Sequence, residues 1–169
     1  MKDDYDITNL KEKNKRINSR NKGNTFERKI AKLLNEHFNI KEFNRSPGSG
    51  AYATTHNLPE HLKIYGDLIT PNNFRFCIEC KKGYNKENIY SLLDNSSDFW
   101  GFIEQCEKDS ENSYKLPLIL YQQDRRDILA ITQADVFPTD INKIKIYKEK
   151  EYEIFKLKDL LLRPDISWF

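Results

Sequence analysis

Two carboxylates and an ammonium stand out in this 169-residue chain. Asp67 is followed, after eleven intervening residues, by Glu79 and Lys81. Residues two apart on a strand share a face, so Glu79 and Lys81 project together if their segment is extended. Paired carboxylates hold a hard divalent cation such as Mg²⁺ through oxygen ligands. Such a cation polarises a phosphate and helps generate hydroxide from water. A lysine beside it stabilises charge developing on phosphoryl oxygens, or positions the attacking water. The trio points to phosphodiester hydrolysis. The competing reading is a solvated charged edge of a sheet, because Asp, Glu, Lys and Arg make up 32 % of the chain.

The elements that must position these groups follow from hydrophobic periodicity. Phe26, Ile30, Leu33, Leu34 and Phe38 recur at spacings near 3.6 and predict an amphipathic helix over residues 25–38. Lys22-Gly23-Asn24 reads as a break before it, with Asn24 or Thr25 as cap. Glu27 borders the apolar stripe of this helix, where a carboxylate is costly to bury unless paired or metal-bound. It can reach the same centre as Asp67 and Glu79, or serve as an exposed partner for a Lys or Arg one turn away. Lys41–Arg45 suits a short strand, and 46–50 (Ser-Pro-Gly-Ser-Gly) must turn. Residues 51–63 read as an insertion. Ile64–Thr70 and Phe74–Lys81 flank the turn residues Pro71-Asn72-Asn73 and predict a β-hairpin that sets Asp67 beside Glu79. Asp98–Lys108 is a second helix with Ser97 as cap. Leu116–Tyr121 and Ile128–Thr132 are strands, followed by a strand at Ile144–Tyr147 and a helix near Leu157–Leu162. The order gives an α/β fold, a mixed central β-sheet flanked by helices.

Composition narrows the function classes. The length fits one domain, and 12 % aromatic content argues against disorder. Net charge is only +2, but Lys11–Lys29 holds eight Lys or Arg against two Glu, a footprint for phosphates or else a solvated arm. The N-terminus has no apolar leader and nothing approaches the roughly 18 apolar residues of a membrane span. A cytoplasmic protein without a membrane partner is expected. Three cysteines are an odd number, so a complete disulfide framework is not expected. The C-x-x-C at Cys77 and Cys80 lies in a predicted strand, where its members face opposite ways. It is read as neither a zinc site nor a redox motif.

Taken together, these motifs resemble the PD-(D/E)XK nuclease superfamily, and within it the archaeal-type and phage Holliday-junction resolvases. The resemblance runs from about Lys22 to Thr132. Lys22-Gly23 ahead of Phe26-Glu27-Arg28 is similar to the family's first helix. Arg45-Ser46-Pro47-Gly48-Ser49-Gly50 is similar to its Arg-Ser-x-Gly-Ser loop. Gly66-Asp67 matches the metal aspartate, with glycine where the motif's name has proline, and Ile78-Glu79-Cys80-Lys81 matches the E-x-K strand. The resemblance implies a restriction-endonuclease-like core in the order α-β-β-β-α-β-β. It implies that Glu27, Asp67 and Glu79 bind Mg²⁺, with Mn²⁺ as a substitute, and that Lys81 serves the scissile phosphate. It implies a homodimer acting on four-way DNA junctions, encoded by a phage or mobile element. On this reading residues 1–22 form a basic arm, 23–133 the nuclease core, and 134–169 a C-terminal extension packed on the core.

Around the centre, Arg45, Ser46 and Ser49 sit in a glycine-containing loop that can approach phosphates closely. Lys22 and Lys82 are placed to contact the DNA backbone, and Gln105 on the second helix to face the catalytic patch. Two other functions remain open at this point. One is a restriction- or repair-type endonuclease on the same fold. The other is a non-catalytic nucleic-acid-binding domain.

Overall fold

The computed structural model describes residues 19–47, 64–93, 97–138 and 140–169. Most of the predicted N-terminal arm, the 51–63 insertion and Ser49 with its glycine neighbours lie outside the described residues.

Helix α1 spans Ser19–Phe38, and strand β1 (Asn44–Arg45) follows it. Strand β2 is Leu68–Ile69 and β3 is Phe76–Lys82. Helices α2 (Ile89–Leu93) and α3 (Asp98–Ser113) lead to β4 (Leu116–Gln122) and β5 (Leu129–Gln133). Strands β6 (Lys143–Tyr147) and β7 (Glu151–Lys156) and the short helix α4 (Leu157–Leu161) end the chain. The main sheet has the order β3-β4-β5-β7-β6, with a separate two-stranded sheet β1-β2. Among the described strands only β3 and β4 pair in parallel. Parallel neighbours need a long crossover, and α2 with α3 supplies it. The mixed α/β sheet flanked by helices is as expected from the sequence.

Alternation along the strands builds two cores. Ile78 and Cys80 on β3, with Leu118 and Leu120 on β4, pack against Ile30 and Leu34 of α1. The other face of β4, Ile119 and Tyr121, packs against Phe99, Phe102 and Ile103 of α3. Burial of each such side chain contributes about 1.5–3 kcal/mol. Ser97 caps α3 by accepting the Phe99 N–H at 3.0 Å. The last residues complete the α1-side core: Trp168 stacks on Phe74 and packs against Phe76, and its carbonyl accepts the Arg75 N–H. Among the described residues no helix is long and apolar enough to cross a membrane.

Three local expectations are corrected. First, α1 does not begin after Lys22-Gly23-Asn24 but runs through it. One internal glycine costs only about 1 kcal/mol, and tertiary ties hold this turn. Lys22 Nζ donates to Asp124, and Arg45 donates to Asn24, both at 2.9 Å. Thr25 is inside the helix, where its hydroxyl donates back to the Asn21 carbonyl at 2.7 Å. Second, β2 and β3 do not form a regular hairpin. β2 pairs with β1, Arg45 opposite Leu68, and β3 pairs with β4. Third, β7 had no counterpart in the sequence reading. It is a central strand, bonded to β5 on one side and β6 on the other.

Candidate active site

Among the described residues β3 is one of the two edge strands of the main sheet, and its outer edge is where the chemical groups gather. A cleft of about 570 Å³ is lined by Glu27 from α1, by Asp67, by Glu79 and Lys81 from β3, and by Gln105 from α3. Lys22, Lys82, Tyr84 and Asn85 line its rim.

Asp67 reaches β3 through a local distortion of the backbone. Gly66 has φ +74°, and a Cβ there would lie 2.7 Å from the Ile78 carbonyl oxygen. Only glycine meets both conditions without strain. This explains why glycine stands where the motif's name has proline, whose φ is fixed near −65°. The chain then turns so that the Asp67 N–H donates to the Ile78 carbonyl at 2.8 Å. Its carboxylate Oδ2 accepts the Cys80 N–H, also at 2.8 Å. Ser46 supports the segment from the other side. Its N–H donates to the Asp67 carbonyl at 2.9 Å and its hydroxyl to the Gly66 carbonyl at 3.1 Å.

Glu79 and Lys81 share the α3-side face of β3, as their spacing predicts. Lys81 Nζ lies 2.5 Å from Glu79 Oε1, donates to Gln105 Oε1 at 3.0 Å, and sits 5.0 Å from the centre of the Phe102 ring. Glu79 is 2 % exposed, and its second oxygen, Oε2, is buried without a hydrogen-bond partner. Burial, then the neighbouring Asp67 charge, raises the Glu79 carboxyl from the ordinary 4.5 to about 8. Burial likewise raises Asp67 from 3.8 to about 6, against the Cys80 hydrogen bond that favours its charged form. The Lys81 ammonium is opposed by burial, but the Glu79 charge outweighs this and raises its pKa. The pair of acids is therefore short of positive charge even with Lys81 beside it.

The remaining expected residues divide. Glu27 is buried, but its partner is Arg45 of β1, not a residue one turn away. Arg45 Nε lies 2.5 Å from Glu27 Oε2. Among the described residues no group of three Asp, Glu, His or Cys side chains converges as a ready metal cluster. The structure thus brings Asp67 and Glu79 together and leaves Glu27 engaged by Arg45. Lys22, Lys82 and Gln105 line the cleft. Ser46 does not: it is buried, with its hydroxyl spent on Gly66. Cys77, Cys80 and Cys106 are buried free thiols. Burial pushes Cys77 up to about 12, so it stays protonated and unreactive. Sequence reasoning did not find Tyr84, Asn85 or Asp124. The first two line the cleft, and Asp124 ties Lys22 and Asn85 from the β4–β5 turn.

A mixed sheet with an edge strand that carries E-x-K, and an aspartate delivered beside it from the bend before a short strand, defines a PD-(D/E)XK nuclease of restriction-endonuclease-like fold. The family model described as "Phage putative PDDEXK endonuclease" matches residues 18–161, and the chain belongs to that family. It is also similar to Protein D14 of Escherichia phage T5. The two are 29 % identical over 126 residues, which cover 70 % of this chain and 74 % of that protein. No solved structure matches the chain.

Proposed function

We propose that this nuclease is a divalent-metal-dependent DNA endonuclease acting on branched DNA, with the four-way junction as its substrate. The observation that carries the metal dependence is the buried Asp67–Glu79 pair with Glu79 Oε2 left without a partner. Two adjacent buried carboxylates with raised pKa values fit a hard cation, whose charge offsets first the burial cost and then the repulsion that otherwise hold protons on them. Asp67 and Glu79 would hold Mg²⁺ or Mn²⁺, and Glu27 would join them on release from Arg45. When bound, the cation supplies charge to the phosphate and lowers the pKa of a coordinated water.

The chain's own groups do the rest. The Cys80 N–H fixes the orientation of the Asp67 carboxylate. Gln105 and the Phe102 face hold the Lys81 ammonium at the mouth of the pair. From there Lys81 stabilises negative charge building on the phosphoryl oxygens. Lys22 and Lys82 on the rim carry the flanking phosphates.

The junction preference rests on the resemblance of the Lys22–Lys81 motifs to resolvases. Symmetric cutting of a four-way junction takes two such sites, so a homodimer belongs to the proposal. The test is a cleavage assay with Mg²⁺, and separately Mn²⁺, on a four-way junction, linear duplex, single strand and flap of matched sequence. Paired nicks confined to the junction are expected. Cutting of duplex or flap in preference would overturn the junction reading and favour a restriction- or repair-type enzyme. No cutting of any substrate would overturn the catalytic reading.

A further inference from the structure

Beside the cleft, three donors converge on one carboxylate. Asp124, in the turn between β4 and β5, accepts Lys22 Nζ from α1 and Asn85 Nδ2 from the segment after β3, both on Oδ2 at 2.9 Å. Lys82 Nζ lies 3.5 Å from its other oxygen, Oδ1. The Asp124 N–H in turn donates to Asn85 Oδ1 at 2.9 Å. Lys22, Lys82 and Asn85 also line the cleft that holds Asp67 and Glu79, whereas Asp124 does not.

We infer that Lys22, Lys82 and Asn85 form a binding subsite for a DNA backbone phosphate, which the Asp124 carboxylate occupies as an internal stand-in while DNA is absent. The inference rests on the proposed function and deepens it.

A phosphodiester presents two non-bridging oxygens that share one negative charge, as a carboxylate does. Both are recognised by charge-assisted hydrogen bonds from cations and amides. Two lysines and an amide on two oxygens is therefore donor chemistry suited to either. The donors hold the Asp124 carboxyl down to about 2, Asn85 contributing most and Lys22 next, so the stand-in stays charged at any working pH. Its side chain is 38 % exposed, so an arriving strand can reach and displace it. Lys82 is steadied independently of Asp124. It donates to Gln122 Oε1 at 3.1 Å and to the Gln123 carbonyl at 3.2 Å, so the subsite persists when the carboxylate leaves. Occupation by Asp124 makes binding an exchange of one anion for another. It lowers affinity for any isolated phosphate and favours a strand that supplies several at once.

The discriminating variant is Asp124→Asn, with Lys22→Ala as its control. Lys22→Ala removes the tie between α1 and the β4–β5 turn, whereas Asp124→Asn keeps an oxygen for it, removes the competing charge and leaves the cations in place. Fluorescence anisotropy with a fluorescein-labelled four-way junction in EDTA, across a KCl series, reads affinity without cleavage. Asp124→Asn is expected to bind roughly three- to tenfold tighter than wild type at low salt, with a log Kd against log[salt] slope steeper by about 1–2. Lys22→Ala is expected to bind more weakly than wild type. Equal or weaker binding by Asp124→Asn with an unchanged slope, beside normal salt-dependent binding by wild type, overturns this inference and leaves the nuclease reading standing. No binding by wild type or either variant overturns both.

Discussion

The Asp67 carboxylate accepts the backbone N–H of Cys80 at 2.8 Å, at the free edge of β3 where a neighbouring strand's carbonyl would otherwise sit. One side chain thus completes the edge of the sheet and points a carboxylate at Glu79. Asp67→Asn keeps an oxygen for that hydrogen bond while removing the charge, and so separates structure from chemistry.

The raised acid pKa values give a pH dependence with a definite sign. A carboxyl that binds its proton more tightly in the folded state contributes stability at low pH that is lost as pH rises. For Asp67 and Glu79 the window runs from about 4 to about 8. In EDTA, stability measured by urea unfolding is expected to fall between pH 5 and pH 8, by roughly 2–5 kcal/mol. Glu79→Gln is expected to flatten most of this slope. A wild-type profile that rises across the same window would contradict the burial of two adjacent acids.

Metal uptake must displace those protons. Mn²⁺ or Mg²⁺ is expected to raise Tm more at pH 8 than at pH 6, with net proton release seen in calorimetry across buffers of different ionisation enthalpy. Glu79→Gln should lose the metal-dependent rise in Tm. Equal stabilisation of the variant would place the cation elsewhere.

Lys81 is assigned to the transition state. Lys81→Met is expected to lower kcat about 10²–10³-fold with little change in KM, as for loss of one charge-stabilising group. Gln105→Ala, which only steadies Lys81 at 3.0 Å, should cost about tenfold or less. Single-turnover rates with saturating junction check both.

Gly66 is a structural prediction. Gly66→Ala places a Cβ 2.7 Å from a backbone oxygen at a φ of +74°. A loss of about 2–4 kcal/mol in urea unfolding is expected. Metal affinity should fall too, because the same turn delivers Asp67.

How much of this was legible in the sequence varies with the range of the interaction. Period-3.6 and period-2 patterns were enough for the helix over Phe26–Leu34 and for the shared face of Glu79 and Lys81, because those depend only on neighbours along one element. The Ser97 cap was legible for the same reason. The strand Glu151–Lys156 was missed because it interleaves Glu151 and Glu153 with Tyr152, Ile154 and Phe155. Glu153 is fully buried, paired with Lys143 of β6 at 2.5 Å, so polarity there did not signal exposure. The expected hairpin placed Asp67 beside Glu79 by the wrong route. Turn residues at 71–73 gave no hint that β2 would pair with β1, or that a side chain would bond the β3 edge. Glu27 was legible as a carboxylate bordering the apolar stripe, with burial and exposure both open, because its partner Arg45 lies not on its own helix but 18 residues on, in β1. Asp124 left no local signal at all, since its partner Lys22 is 102 residues away.

The most direct measurement is the Mg²⁺-dependent cleavage of a labelled four-way junction by wild type and Asp67→Asn side by side, with circular dichroism and Tm confirming that both are folded. Metal-dependent nicking by wild type is expected, with a loss of at least about 10³-fold in the variant, the scale of removing a group essential to the transition state. Cleavage by Asp67→Asn at the wild-type rate would overturn the role proposed for Asp67 and move the chemistry away from the edge of β3.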